Sequence, residues 1–323
     1  MPNDDHSTSR SRPDDRRLAI LLATYNGARD LPAQLESFVE QTRHPDLILV
    51  SDDNSQDDTR EIVKRFATEH PELELIFIEG PCRGAAQNFL NLLRHIPADV
   101  DVVALSDQDD VWMPEKLQRG LDRMDSDDAS PDCPLLYCGR SWECDEVLGN
   151  QKLSRGMPRP ACFGHALVQN VAGGNTMMLN RKAVDLVRAA SFEAGEIVVH
   201  DWWVYQIVSG AGGRILFDDT PFILYRQHGN NLIGANRGIW AKLKRMKMLV
   251  SGGFREWNTL NIAALGASAH RLTTENRALL ERFATERNQG LTRRLRLISG
   301  AGLYRMGLAG TLSLYLAAVL GRL

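Results

Sequence analysis

Short aliphatic runs alternate along this chain with stretches whose apolar residues recur every three or four positions. Leu18 to Leu22 is an aliphatic run closed by Thr24-Tyr25-Asn26-Gly27, the pattern of a strand buried on both faces and ending in a turn. From residue 31 to 41, Leu31, Leu35, Phe38 and Val39 fall at helical spacing, with Asp30 placed as N-cap and Pro32 tolerated in the first turn. A second apolar run, Leu47 to Val50, meets Ser51-Asp52-Asp53-Asn54-Ser55. A helix over 59–69, with Ile62, Val63 and Phe66 on one face, a strand over 73–78, a helix over 85–95 and a strand over 100–105 continue the alternation. Strands and helices at this spacing predict parallel βαβ units and a doubly wound α/β sheet flanked by helices. Ligands of such sheets bind beyond the carboxyl ends of the strands. Three polar clusters, Thr24-Tyr25-Asn26, Asp52-Asp53-Asn54-Ser55 and Ser106-Asp107-Gln108-Asp109-Asp110, should therefore converge in one crevice.

The pattern loosens over 122–159, a loop-rich stretch around a strand at 135–138. Gly173-Gly174-Asn175 then precedes a strand at 176–179, a helix over 181–190 and a second helix opened by His200-Asp201-Trp202-Trp203. Short strands at 215–217 and 222–225 lead to Arg226-Gln227-His228, and beyond about Gly234 the periodicity is helical to the end. The expected division is a disordered tail at 1–17, an α/β domain at 18–235 and a helical C-terminal appendage at 236–323. Met306 to Gly321 is free of charge but shorter than the roughly 20 residues a bilayer span needs. With Arg293, Arg294, Arg296 and Arg305 upstream, two readings stand: a helix docked on the protein's own core, or peripheral contact with a membrane surface.

Composition narrows the function classes. A formal net charge of -3 with basic residues dispersed gives no electrostatic footprint for nucleic acid. The five cysteines, at 82, 133, 138, 144 and 162, lack zinc-finger spacing and read as reduced cytosolic thiols. Residues 1–17 have no apolar stretch of the kind a secretory signal requires.

Candidate chemistry concentrates in carboxylates. Asp107, Asp109 and Asp110 at one strand end would repel one another unless a cation neutralises them. Mg2+ or Mn2+ suits an all-oxygen site that leaves positions open for substrate phosphates. For Asp110, metal contact and a cap on the helix beginning near Met113-Pro114-Glu115 are equal alternatives. The Asp52 to Ser55 cluster reads either as an Asx turn and helix cap or as a recognition element for a base and ribose. Asp201, beside His200 and two tryptophans, reads as a helix cap or as a partly desolvated general base.

Taken in order, these segments resemble the family-two glycosyltransferases of the GT-A fold: Leu21-Leu22-Ala23-Thr24-Tyr25-Asn26-Gly27, Val50-Ser51-Asp52-Asp53-Asn54-Ser55, Ser106-Asp107-Gln108-Asp109-Asp110-Val111-Trp112, Gly173-Gly174-Asn175-Thr176, His200-Asp201-Trp202-Trp203 and Tyr225-Arg226-Gln227-His228-Gly229-Asn230-Asn231. The wording is most similar to bacterial rhamnosyltransferases of O-antigen and related polysaccharides. The resemblance implies a nucleotide-sugar site formed by Thr24, Tyr25, Asn26, Asp53, Arg83, Asn88, Asp107, Gly174 and Arg226. Within it, Tyr25 and Asp53 match positions that hold a pyrimidine base. The resemblance further implies a metal held by Asp109, Asp107 and His228, with Asp109 the direct ligand, and Asp201 as the base that deprotonates the acceptor. For His228 an exposed loop histidine is an equal reading. The implied partners are a dTDP- or UDP-type sugar donor, a glycan or lipid-linked acceptor and no nucleic acid. The implied reaction is inverting transfer, with L-rhamnose from dTDP-L-rhamnose as the expected donor sugar.

Two other classes compete. A nucleotidyltransferase would share the sheet and carboxylates but calls for a Gly-rich basic phosphate loop after the first strand, where this chain has Thr24-Tyr25-Asn26-Gly27-Ala28-Arg29. A non-catalytic glycan-binding protein would show no stabilisation by nucleotide diphosphates or cations.

Overall fold

The computed structural model describes residues 15–227 and 251–323. A seven-stranded sheet forms the centre, in the order β10-β6-β9-β4-β1-β2-β3. Its strands are β1 (Leu18–Thr24), β2 (Leu47–Asp52), β3 (Glu74–Glu79), β4 (Val102–Ser106), β6 (Leu135–Gly139), β9 (Met178–Asn180) and β10 (Arg214–Asp218). All neighbours are parallel except β9, which runs antiparallel between β4 and β6. A small second sheet joins β5 (Val111–Trp112), β11 (Ile223–Arg226), β7 (Trp142–Cys144) and β8 (Lys152–Leu153) in the order β5-β11-β7-β8.

The aliphatic runs are uninterrupted because helices cover both faces of the sheet. Along β1, Leu18, Ile20 and Leu22 enter one core with α1 (Leu31–Val39), α2 (Thr59–Glu69) and α4 (Lys116–Asp125). Ala19 and Leu21 enter the other, with α3 (Ala85–Arg94), α5 (Phe163–Ala166), α6 (Arg181–Ser191) and α7 (His200–Gly210). A one-residue slip of β1 would exchange these two sets, so packing pins its register.

Among the described residues four more helices follow: α8 (Gly253–Ala267), α9 (Thr274–Glu286), α10 (Leu291–Gly300) and α11 (Gly307–Leu320). Their buried residues, among them Phe254, Leu265, Phe283, Leu297 and Leu314, join the core that contains Trp202 and Trp203. Trp257 meets Trp202 edge-on at 6.2 Å, and Glu193 after α6 accepts from Arg271 and Ser268. That pairing holds the Glu193 carboxyl down at about 2, chiefly through Arg271. Among the described residues no helix is long and apolar enough to cross a membrane. All five cysteines are free thiols.

Several local readings need correction. Asp30 stands at the N-cap of α1, but its side chain caps nothing and pairs with Arg29 instead. The strand expected at 176–179 begins at Met178, because Gly174–Thr176 turns as a short 3-10 helix. The stretch 122–159, loop-rich in sequence, supplies β6 and two strands of the second sheet.

Candidate active site

Parallel pairing brings the ends of β1, β2 and β4 side by side, with Thr24 opposite Asp52 and Leu22 opposite Ser106. The turn after β1 is fixed from three sides. Asn26 takes a left-handed backbone (φ 46), donates its N–H to Ser55 and accepts at its side chain from the Gln56 N–H. Gly27 donates to Thr59 and lies so close to Gln108 that a Cβ there would fall 2.2 Å from its Oε1. Tyr25 is left 57% exposed, its ring available to a flat ligand, while its backbone is clamped: the Gln108 amide accepts from Tyr25 N (2.8 Å) and donates to Tyr25 O (2.9 Å).

The neighbouring carboxylates of β2 have separate fates. Asp52 is fully buried, accepting from Thr24, Ser55 and Arg60, so it is spent on holding the turn after β2. Asp53 accepts from the backbone N–H groups of Cys82 (2.6 Å) and Gly84 (2.7 Å), which folds the loop after β3 over the strand ends. It caps no helix, since α2 begins at Thr59 after Asp58. Arg83 in that loop is exposed and ion-paired with Glu196. Asn88, expected near the nucleotide, is buried, its amide spent on Ser51 and on the Thr24 carbonyl. It supports the crevice from behind.

At the end of β4 the acidic turn divides. Asp110 is fully buried and accepts from Asn175 Nδ2 (2.5 Å) and the Arg226 N–H (3.1 Å), while its own N–H donates to Gln34. The helix-cap reading of Asp110 is therefore overturned: α4 starts at Lys116 after Glu115, and Asp110 precedes β5. Burial, with Asp109 and Asp107 close by, pushes its carboxyl well above the usual range. The opposing cation is Lys116, buried with its ammonium 3.5 Å from the centre of the Trp112 ring and lowered by that burial to about 7. Antiparallel pairing of β11 with β5 brings Arg226 alongside, where its Nε donates to the Asp109 carbonyl (2.9 Å) and lies 3.5 Å from Asp30.

Asp107 and Asp109 face the crevice, both partly buried. Burial first, then the charges of Asp109 and Asp201, push Asp107 up to about 8. Asp201 thus lies within electrostatic reach of the acidic turn although 94 residues separate it from Asp107 in sequence. Among the described residues no group of three or more His, Cys, Asp and Glu could hold an ion alone. The donor set, two close all-oxygen carboxylates at a strand end, fits a hard cation that keeps part of its shell for phosphate and water. His228 lies outside the described residues.

Asp201 stands in the first turn of α7, whose N-cap is Val199. Burial raises its carboxyl to about 6 against the pull of the Trp202 N–H (2.6 Å), the Asn170 side chain and the Gly174 N–H (3.2 Å). His200 beside it is buried and stacked on Phe89 with ring centroids 3.5 Å apart, and burial depresses it to about 3. A neutral spacer results, which packs against Gly174: a Cβ on that glycine would fall 2.3 Å from His200 Nε2. Gly174→Ala is therefore expected to shift the segment that donates to Asp201. Loss of activity by about ten- to a hundredfold, with folding retained, is the expected outcome in steady-state kinetics.

Sequence reasoning missed the braces. Gln108, Asn175, Gln34 and Asn170 lie inside or beside the quoted motifs, yet only the fold shows that they hold Tyr25, Asp110 and Asp201.

Residues 19–169 match the family model Glycosyl transferase family 2, so that span is a family 2 glycosyltransferase domain. That span contains Tyr25, Asp53, Asp107 and Asp109, whereas Asp201 and Arg226 lie beyond it. The dTDP-rhamnosyl transferase RfbG of Shigella flexneri is 28% identical over 243 residues, covering 73% of this chain and 81% of that protein. In fold the chain resembles Staphylococcus aureus TarS in complex with UDP-GlcNAc, with TM-score 0.52, 15% identity and coverage of 89% and 93% of the two chains. It also resembles the Pyrobaculum calidifontis mannosyltransferase PcManGT in complex with GDP-Man and Mn2+, with TM-score 0.50, 19% identity and coverage of 96% and 87%. The expected GT-A type α/β architecture with its helical C-terminal region is the one observed.

Proposed function

We propose that this chain is an inverting, metal-dependent glycosyltransferase of cell-surface polysaccharide synthesis. It transfers L-rhamnose from dTDP-L-rhamnose to a glycan or lipid-linked acceptor at the cytoplasmic membrane face, through a catalytic domain at 18–235. The observation that carries the reading is the meeting of Asp201 with the Asp107 to Asp109 turn at the strand ends. The donor sugar is supported by the likeness to the Shigella protein.

The crevice supplies what direct displacement requires. With its carboxyl near 6, Asp201 is ionised at neutral pH yet basic enough to accept a proton from an acceptor hydroxyl. The deprotonating oxygen attacks the anomeric carbon while the bond from that carbon to the diphosphate breaks, which inverts the centre without a covalent intermediate. Tyr25 and Asp53 border the base pocket, Gly174 lets backbone approach the donor, and Arg226 adds positive charge beside the acidic turn. Mg2+ or Mn2+, held by Asp109 and Asp107, would supply charge neutralisation for the departing diphosphate.

Incubation with dTDP-L-rhamnose, UDP-glucose, UDP-GlcNAc and GDP-mannose, each with Mg2+ or Mn2+, tests class and donor together. Hydrolysis or transfer is expected first with dTDP-L-rhamnose. Turnover of another donor only would reject the rhamnose assignment. Absence of turnover, together with no thermal stabilisation by any nucleotide, would favour a binding protein.

A further inference from the structure

We infer that α10 and α11 form a docking surface for anionic lipid headgroups. This deepens the proposal of a membrane-face workplace and rests on it, but its observations are independent of the crevice. In α11, Leu314, Ala317 and Ala318 are buried against the protein. The opposite side carries Leu308, Leu312, Leu316, Val319 and Leu320, all exposed, the first two at 83% and 68%. Their spacing of i, i+4, i+8, i+11 and i+12 places them in one stripe along the helix. At 14 residues the helix is too short to span a bilayer, and it suits a position parallel to the surface.

Charge identifies the occupant. From residue 287 to 323 there are six arginines and no acidic residue, in a chain whose net charge is -3. The acid just upstream, Glu286, is paired with Arg282 at 3.0 Å. At the end of the stripe the Arg294 guanidinium lies against Gly321, whereas Arg305 before α11 turns inward to Ser313 and the Phe254 ring. Arg293 and Arg296 on α10 are exposed. A second copy of the chain on the same stripe would bring arginine against arginine with no carboxylate from this segment to answer it. Phosphate-bearing headgroups answer it directly, and their acyl chains accept the leucines.

Flotation with phosphatidylglycerol-containing vesicles, against phosphatidylcholine vesicles, tests the surface. The full chain is expected to float with the anionic vesicles and not with the neutral ones. Arg293→Glu with Arg296→Glu should weaken partitioning by about twentyfold or more, since each basic residue near such a surface is worth about fivefold. Leu308→Gln with Leu312→Gln should weaken it by at least about tenfold. Both double variants should hydrolyse nucleotide sugar in solution at the wild-type rate, which separates this surface from the crevice. Equal flotation of wild type and both variants, or no flotation of the wild type, would overturn the inference. So would a wild-type dimer that the leucine changes convert to monomer without any vesicle binding.

Discussion

Asp201→Asn is expected to lower kcat by about three orders of magnitude, the middle of the range for removal of a general base. KM for the nucleotide sugar should change little, because the base acts on the acceptor. The amide keeps one oxygen, which still accepts from the Trp202 N–H that Oδ1 holds, so the start of α7 should stay in place, while the longer bond from the Gly174 N–H to Oδ2 is lost. The wild-type pH profile carries the same signature. Asp201 is raised to about 6, so it is protonated and inactive below that value, and kcat should fall as pH drops through about 6. An unperturbed carboxyl would keep activity down to about pH 4. A folded Asp201→Asn protein with full transfer activity would remove Asp201 from the role of base.

The second large effect is expected at Asp107. Because its carboxyl is raised to about 8 in the folded protein, the folded chain retains a proton that the unfolded chain releases near pH 4. Stability should therefore fall as pH rises from about 4 through about 8, the reverse of the usual ion-paired aspartate. Asp107→Asn abolishes this cost. The variant is expected to melt about 2–5 °C higher than wild type at pH 8 in the absence of divalent cation, and to lose transfer by roughly a hundredfold or more. Mn2+ with nucleoside diphosphate should stabilise the wild type and leave the variant little changed. A variant that melts lower than wild type without cation would show that Asp107 is held by partners that offset its burial.

Both expectations rest on features only partly legible in the chain. The central sheet could be read because strands buried on both faces are uninterrupted aliphatic runs, as in Leu18 to Leu22 and Leu47 to Val50. Strand-end clusters mark a crevice in any doubly wound sheet, which placed Tyr25, Asp53 and Asp107 on the same side. Of the second sheet only β11 was legible, as the short strand at 222–225. Its other strands are two or three residues long, too short for periodicity, and two of them come from a stretch dense in turn residues. Nor could the sequence separate the adjacent acids of the turn. Asp109 and Asp110 are chemically identical, and their fates diverge because Asn175 and the Arg226 N–H, 65 and 116 residues away, both meet Asp110. Asn88, which the resemblance put at the nucleotide site, is turned inward to Ser51 by bonds that join residues 37 apart.

The amide of Gln108 joins the turn that bears the acidic pair to the turn that bears Tyr25, through one donated and one accepted bond. The two halves of the crevice are thereby tied mechanically: a ligand that orders one turn spends part of the entropy of ordering the other. By reciprocity, whatever factor a cation adds to nucleotide affinity, the nucleotide must add to cation affinity. A side chain that touches neither ligand in this arrangement would then set how strongly each reports the presence of the other.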